Sequence, residues 1–128
     1  MKLVLHVNDS GYQITGVDEA GIWINGKPHD EALVVSAERL QSPWAPQRVS
    51  DLTAAHLEPL MDWQPEIVLI GTGKRLAFPA QPLLRLFLRR NIGVEVMDTV
   101  AACRTYNVLM SEERRVVAAL LPVSIDFG

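Results

Sequence analysis

A short glycine-containing segment with two cations is the first candidate for chemistry. Gly71–Arg75 directly follows an apolar run, Ile67–Ile70, and precedes a leucine-rich run. A glycine turn between a strand and a helix can present backbone N–H groups to an anion. The segment matches neither the Walker A loop nor the G-x-G-x-x-G fingerprint, because Leu76 stands where the fingerprint has its third glycine. The alternative is a tight turn with solvated cations. The candidate residues are Gly71, Thr72, Gly73 and Lys74.

A second group of polar residues begins about 25 positions later. Asp98 and Thr99 are typical of a helix N-cap, and Cys103, Arg104 and Asn107 follow on the same predicted helix. Open α/β sheets bind ligands at the carboxyl ends of their strands, where both groups would lie. One hypothesis is therefore a cleft for a phosphate-like anion, held by cations, with a carboxylate base. The alternative is helix capping and exposure to solvent.

Cys103 is the only cysteine of the chain. A helix N-terminus and the neighbouring Arg104 can lower the pKa of a thiol. The residue nevertheless lies on an apolar stripe with Ala102 and Tyr106, where burial opposes ionisation, so a structural role is favoured. A single cysteine excludes an internal disulfide framework and fits a reducing compartment.

Composition limits the classes of function. The chain has 128 residues, 48% of them apolar, and a net charge of −3. These values predict one folded domain over residues 1–128 and argue against an electrostatic nucleic-acid binder. The three histidines show no metal-ligand spacing, so we expect no metal and no cofactor. The sequence has no membrane-spanning run and no signal-peptide core, which predicts a cytoplasmic protein.

The first third of the chain is predicted to be an antiparallel meander. Asn25-Gly26 is a strong hairpin signal, because both residues tolerate positive φ. We expect strands at Leu3–Val7, through Tyr12, Ile14 and Val17, at Ile22–Ile24, and at Ala32–Ser36, the last pairing back onto the meander.

The remainder predicts an irregular connection followed by β-α-β-α-β. Pro43 and Pro46 limit regular structure around Trp44, and a short helix is expected from about Thr53 to Met61. Three apolar runs predict buried strands, and the apolar periodicity between them predicts two helices. The strands are Ile67–Ile70, Val94–Met97 and Val116–Leu121; the helices follow Pro82 and Asp98.

Several segments resemble one family of uncharacterised function, which includes a mitochondrial complex I assembly factor and adipogenesis-associated domain proteins. The resemblance is strongest from Ile67 onward and most specific from Asp98 to Asn107. It implies a three-layer β/β/α fold with a mixed sheet, no established enzymatic activity and no cofactor. The absence of a targeting extension suggests a bacterial-type cytoplasmic homologue. The residues that carry it are Ile67–Gly73, Pro79, Gly93–Thr99, Ala101–Leu109 and Ala118–Pro122.

Two functions follow from these observations. The first is a non-enzymatic protein-binding or assembly module, whose partner would be a respiratory or membrane-complex subunit. The second is a small-molecule or anion site, with or without catalysis, at the Gly71 turn and the Asp98 helix start, with Lys74 and Arg104 binding the anion. An exposed apolar surface would favour the first, and convergence of the polar side chains on one cavity would favour the second. A homodimer is compatible with this class of domain, though no residue selects its interface.

Overall fold

A computed structural model describes residues 11–123, so the strand expected at Leu3–Val7 lies outside the described residues. The described part begins with a three-stranded antiparallel sheet in the order β1-β2-β3. The predicted hairpin turn is confirmed: Asn25 and Gly26 have φ of 49° and 82° and connect the second and third strands. The strands are β1 (Ile14–Asp18), β2 (Gly21–Ile24) and β3 (Lys27–His29).

The second sheet is mixed and has five strands in the order β5-β4-β8-β6-β7. β6 lies between β7 and β8 and is parallel to both, whereas β4 pairs antiparallel with β8 and β5. The three parallel strands are those that the apolar runs predict. The strands are β4 (Leu33–Val35), β5 (Leu40–Gln41), β6 (Ile67–Gly71), β7 (Gly93–Met97) and β8 (Val116–Leu120).

Within residues 11–123, three α-helices and two 3₁₀ helices accompany this sheet, and the first 3₁₀ helix is Val49–Asp51. α1 (Ala54–Leu57) is followed directly by a 3₁₀ helix, Glu58–Trp63, which contains Pro59. Proline has no N–H and cannot continue an α-helical ladder, which explains the early change of helix type. α2 (Gln81–Leu88) has Pro82 in its first turn, and α3 (Thr99–Ser111) is the longest helix of the described residues.

One strand assignment was wrong. Ala32–Ser36 does not return to the meander: its core, β4, joins the mixed sheet beside β8, and β3 is the strand that pairs back onto β2. The physical reason is burial on both faces. Leu33 and Val35 face one core cluster and Val34 the other, so this segment needs a covered position. Trp44 is 3% exposed and anchors the following loop, where its backbone N–H donates to the Ala32 carbonyl (2.7 Å).

The mixed sheet forms the middle of three layers, which confirms the β/β/α architecture. One face packs against the three-stranded sheet and α3, and the other packs against α1, the 3₁₀ helix and α2. Residues alternate between these faces along β6, where Leu69 belongs to the first cluster and Val68 and Ile70 to the second. Because β6, β7 and β8 are parallel, their carboxyl ends lie at the same end of the sheet. The candidate residues follow these strand ends.

Candidate functional site

The glycine turn and the start of α3 lie together at the carboxyl ends of the parallel strands and are joined by hydrogen bonds. The Thr99 hydroxyl accepts the N–H of Gly73 (2.8 Å) and donates to the carbonyl of Leu121 (2.7 Å). The Thr99 N–H in turn donates to the Gly73 carbonyl (2.9 Å). Thr99 is completely buried. Thr99 therefore connects the segments that follow all three parallel strands. It also accepts the Gly73 N–H, which is then not available to an anion.

Gly71 and Thr72, the other two residues of the turn, also make close contacts within the protein. A Cβ added to Gly71 would lie 2.9 Å from the Thr99 hydroxyl and 2.9 Å from Leu120 Cδ2, so this glycine permits close packing of β6 on α3. The Thr72 hydroxyl donates to the Arg75 carbonyl (2.6 Å) and accepts the N–H of Ala77 (3.2 Å). The geometry is that of a closed, internally bonded strand-to-helix connection.

The charged candidates lie around this connection. Asp98 is the N-cap of α3, and its Oδ1 accepts the N–H of Ala101 (2.9 Å). Lys74 and Arg104 are exposed, and each interacts with other groups of the protein. Asp98 thus has a capping role of the kind its position predicts. Anion binding by the two cations stays a prediction.

Cys103 points into the core beneath the mixed sheet and is completely buried. Desolvation, with a smaller contribution from the charge of Asp98, raises the pKa of its thiol from 9.0 to about 12. The helix N-terminus and the adjacent Arg104 do not overcome this burial. The thiol is therefore neutral over the physiological pH range and is held as an apolar side chain.

We expect native Cys103 to react with iodoacetamide at least about a hundredfold more slowly at pH 8 than in the denatured chain, because only the thiolate reacts and burial blocks access. Mass spectrometry of samples quenched over time, with and without guanidinium, measures the ratio. Equal rates in native and denatured protein would show that the thiol is accessible and would contradict a structural role.

The last candidate, Asn107, holds α3 against the three-stranded sheet. Its Nδ2 donates to the Ile14 carbonyl (3.0 Å), while its Oδ1 is buried and has no hydrogen-bond partner among residues 11–123. One residue earlier, the Tyr106 hydroxyl donates to the Tyr12 carbonyl (2.9 Å), and burial raises the pKa of that phenol. Asn107 and Cys103 thus lie in the packing layer between α3 and the sheets. The structure brings Gly71, Thr72, Gly73, Asp98 and Thr99 together at the strand ends.

Sequence reasoning missed a cleft at the opposite end of the parallel strands. It has a volume of about 1060 Å³ and is lined by segments that precede β6 and β8. The guanidinium of Arg39 lies over the ring of Trp63, 4.4 Å from its centroid. Nearby, the Arg115 N–H donates to Glu66 Oε1 (2.8 Å), and this contact, with the charge of Arg114, lowers the pKa of Glu66. No motif links these residues, and only Trp63, a half-buried tryptophan at the end of the 3₁₀ helix, could have indicated them.

Residues 11–123 contain neither a cluster of metal ligands nor a membrane-spanning helix. No group of three or more His, Cys, Asp or Glu side chains in this range is placed to hold a metal ion. Within the same range, none of the helices has the length and hydropathy required to cross a bilayer.

Comparison with known proteins identifies the family. A family model described as "Protein of unknown function (DUF498/DUF598)" matches residues 14–121. The chain belongs to this family. The match includes both sheets, the glycine turn and the whole of α3, and it confirms the resemblance noted in the sequence.

Two relatives show how the family is represented elsewhere. The chain is 30% identical over 73 residues to the "13 kDa major membrane protein" of Francisella tularensis, covering 57% of this chain and 59% of that protein. It is 43% identical over 63 residues to human "NADH dehydrogenase [ubiquinone] 1 alpha subcomplex assembly factor 3", covering 49% and 34%. The match thus spans about three fifths of the first relative and about a third of the second.

Solved structures confirm the fold. A Bordetella parapertussis protein is 38% identical, with a TM-score of 0.83, and the match covers 91% of this chain and 99% of that one. A Bordetella pertussis protein described as an Mth938-like domain is 32% identical, with a TM-score of 0.81 and coverage of 99% and 96%. An outer membrane protein of Bartonella henselae is 25% identical, with a TM-score of 0.76 and coverage of 88% and 96%.

Proposed function

We propose that this chain is a non-enzymatic protein-binding module of the assembly-factor type, and that it holds an extended segment of its partner along the outer edge of β7. The observation that carries the proposal is the open edge of that strand. β7 is the last strand of the mixed sheet, and among residues 11–123 only β6 pairs with it.

The hydrogen bonds to β6 define which backbone groups of β7 remain on the outer side. The Gly93 N–H donates to the Glu66 carbonyl (3.0 Å), and the Met97 carbonyl accepts the N–H of Thr72 (2.9 Å). Backbone groups alternate along a strand, so Gly93, Glu95 and Met97 face β6 while Val94 and Val96 direct their N–H and C=O groups outward. Four backbone groups are thereby placed to receive another strand.

Addition of a strand to such an edge is a common mode of peptide recognition. Main-chain hydrogen bonds supply affinity, and side chains beside the edge supply specificity. β7 has five residues, close to the length of an average strand, and its two valines pack onto the core beneath α2. The edge is therefore held rigidly by the protein core, which lowers the entropic cost of ordering a partner segment.

A second copy of this chain fits the edge less well than a different protein does. Antiparallel pairing of two β7 strands that used all four outward groups would centre on Glu95. The two Glu95 side chains would then stand opposite each other in a non-hydrogen-bonded pair, where side chains come closest. Like charges in that arrangement are destabilising. The edge thus favours a heterologous partner over a homodimer.

The relatives support the class of partner. Proteins named as complex I assembly factors are 26–47% identical to this chain over the matched regions. We therefore propose a subunit of a respiratory or other membrane complex as the partner, encountered on its cytoplasmic side. The neutral, buried thiol and the internally bonded glycine turn are consistent with a binding module that performs no reaction.

A photo-crosslinking amino acid at Glu95 tests this function. It is expected to yield one major adduct in cells of the source organism, identified by mass spectrometry, and Val96→Pro is expected to reduce that adduct at least about tenfold. Proline removes the outward N–H, and it is tolerated on edge strands where the N–H faces solvent. The folded state of the variant is checked by circular dichroism.

The same crosslinking residue at Glu31, which is exposed in the loop between β3 and β4, serves as the control. An adduct seen equally from Glu95 and Glu31, or one unchanged by Val96→Pro in a folded variant, would show that the edge of β7 does not hold the partner.

A further inference from the structure

We propose that a surface formed by the loop before α2 and the outer face of α2 binds an anionic membrane surface. This basic surface consists of the exposed side chains of residues 74–90. This surface adjoins β7, against which α2 packs, and its binding to a membrane does not depend on the partner proposed for the β7 edge.

The first observation is a local excess of positive charge. Between Glu66 and Glu95 the sequence has no acidic residue and five cationic ones, in a chain whose net charge is −3. All five are exposed. Five of the twelve Lys and Arg residues of the chain therefore lie on this surface with no acidic residue among them, and the rest of the chain has a net negative charge. The cationic residues are Lys74, Arg75, Arg85, Arg89 and Arg90.

The second observation is an excess of exposed apolar side chains on the same surface. Phe78 is 71% exposed, Leu88 57% and Leu76 53%. Among residues 11–123, only Val108 on α3 is a further large apolar side chain with comparable exposure. Three of these four side chains thus project from one segment of 17 residues that also holds the cations.

The surface is held firmly from below. Phe87 is completely buried, and Leu83 and Leu84 pack against the same core, so one side of α2 is fixed to the mixed sheet. Pro79 is buried between the exposed Phe78 and the helix. An α-helix of eight residues is about 12 Å long, so the loop and both ends of α2 can rest on one small area of membrane. Shallow contact without unfolding follows from this arrangement.

A membrane fits these features better than an acidic protein does. On the outer face of α2, Leu88 lies about one helical turn after Arg85 and next to Arg89 in sequence, so apolar and cationic side chains are neighbours on one exposed face. A bilayer interface offers phosphates at its surface and acyl chains just beneath, and accepts projecting side chains without matching their shape. A protein partner would need pockets for Phe78 and Leu76.

Vesicle flotation with the whole chain tests the proposal. Binding to vesicles of phosphatidylcholine and phosphatidylglycerol in equal amounts is compared with binding to phosphatidylcholine alone. We expect a preference for the anionic vesicles of at least about tenfold, reduced about tenfold or more by Arg89→Glu. Phe78→Ser is expected to reduce it similarly through loss of apolar insertion.

Two variants on other surfaces act as matched controls. Lys27→Glu reverses an exposed charge in β3, and Val108→Ser removes an exposed apolar side chain from α3. Both are expected to bind anionic vesicles like the original chain. Equal binding to the two kinds of vesicle, or equal losses in the controls, would overturn the proposal. So would equally tight binding to polyglutamate or DNA that Phe78→Ser leaves unchanged, since that result would indicate a general polyanion surface.

Discussion

Gly21→Ala is expected to destabilise the protein by about 3 kcal/mol or more, which is a large part of the roughly 5–15 kcal/mol that stabilises an ordinary domain. Gly21 begins β2 with φ of +129°, a region that side chains rarely adopt. An added Cβ would also lie only 2.0 Å from the His29 carbonyl oxygen and 2.6 Å from its carbon. These atoms are backbone and cannot rotate away, so β2 and β3 would have to separate.

A second glycine separates the two causes of this effect. Gly26 in the hairpin turn has φ of +82°, but a Cβ there would meet nothing within 4 Å. Gly26→Ala therefore carries only the cost of the left-handed backbone, about 1–2 kcal/mol. Thermal unfolding followed by circular dichroism measures both variants. We expect Gly21→Ala to lower Tm by roughly 10 °C or more, and Gly26→Ala by about half as much or less. Similar losses would show that contact with His29 contributes little.

The same hairpin separates what the sequence predicts locally from what it does not. Asn25-Gly26 was predictable as a hairpin because turn chemistry is local: two adjacent residues supply the positive φ that the turn needs. The partner of β2 was not predictable in the same way. Lys27–His29 contains Pro28, which lowers strand propensity, and Ala32–Ser36 is the more apolar segment. Tertiary burial of β4 on both faces decides between these segments, and the continuous apolar run Ala32–Val35 is the local pattern that indicates it.

The parallel strands were the easiest part to predict. Ile67–Ile70 and Val116–Leu121 are continuous apolar runs, and strands of this kind need cover on both faces. Order within the sheet was harder, because β4 enters between β5 and β8 from the amino-terminal half of the chain. Contacts between residues far apart in sequence determine that order.

The candidate site shows the same limit at the level of single atoms. The sequence correctly placed the Gly71 turn and Asp98 at one edge of the sheet, because both follow parallel strands. It could not show that the Thr99 hydroxyl reaches the Gly73 N–H, since side-chain direction depends on how α3 packs over β6. An N-cap motif predicts where a helix begins. Packing determines which N–H and hydroxyl groups there remain available to a ligand.

Thr99→Val should destabilise the fold by about 2–5 kcal/mol, because it removes the hydroxyl while preserving the shape of the side chain. The Gly73 N–H and the Leu121 carbonyl would lose this partner in a fully buried position. A buried polar group left without a hydrogen bond costs about 1–3 kcal/mol, and two such groups are affected here. Urea unfolding monitored by tryptophan fluorescence measures the change in free energy.

Thr99→Ser keeps the hydroxyl and is expected to retain most of the stability, at a cost of about 1 kcal/mol for the lost methyl group. Thr105→Val is the matched control on the same helix, since among residues 11–123 the Thr105 hydroxyl donates only to the weak acceptor Met97 Sδ (3.3 Å). A Thr99→Val protein as stable as Thr105→Val would contradict the role assigned to the hydroxyl. The expected result is that Thr99→Val is the less stable of the two, because the Thr99 hydroxyl joins the carboxyl ends of β6 and β8 to the start of α3.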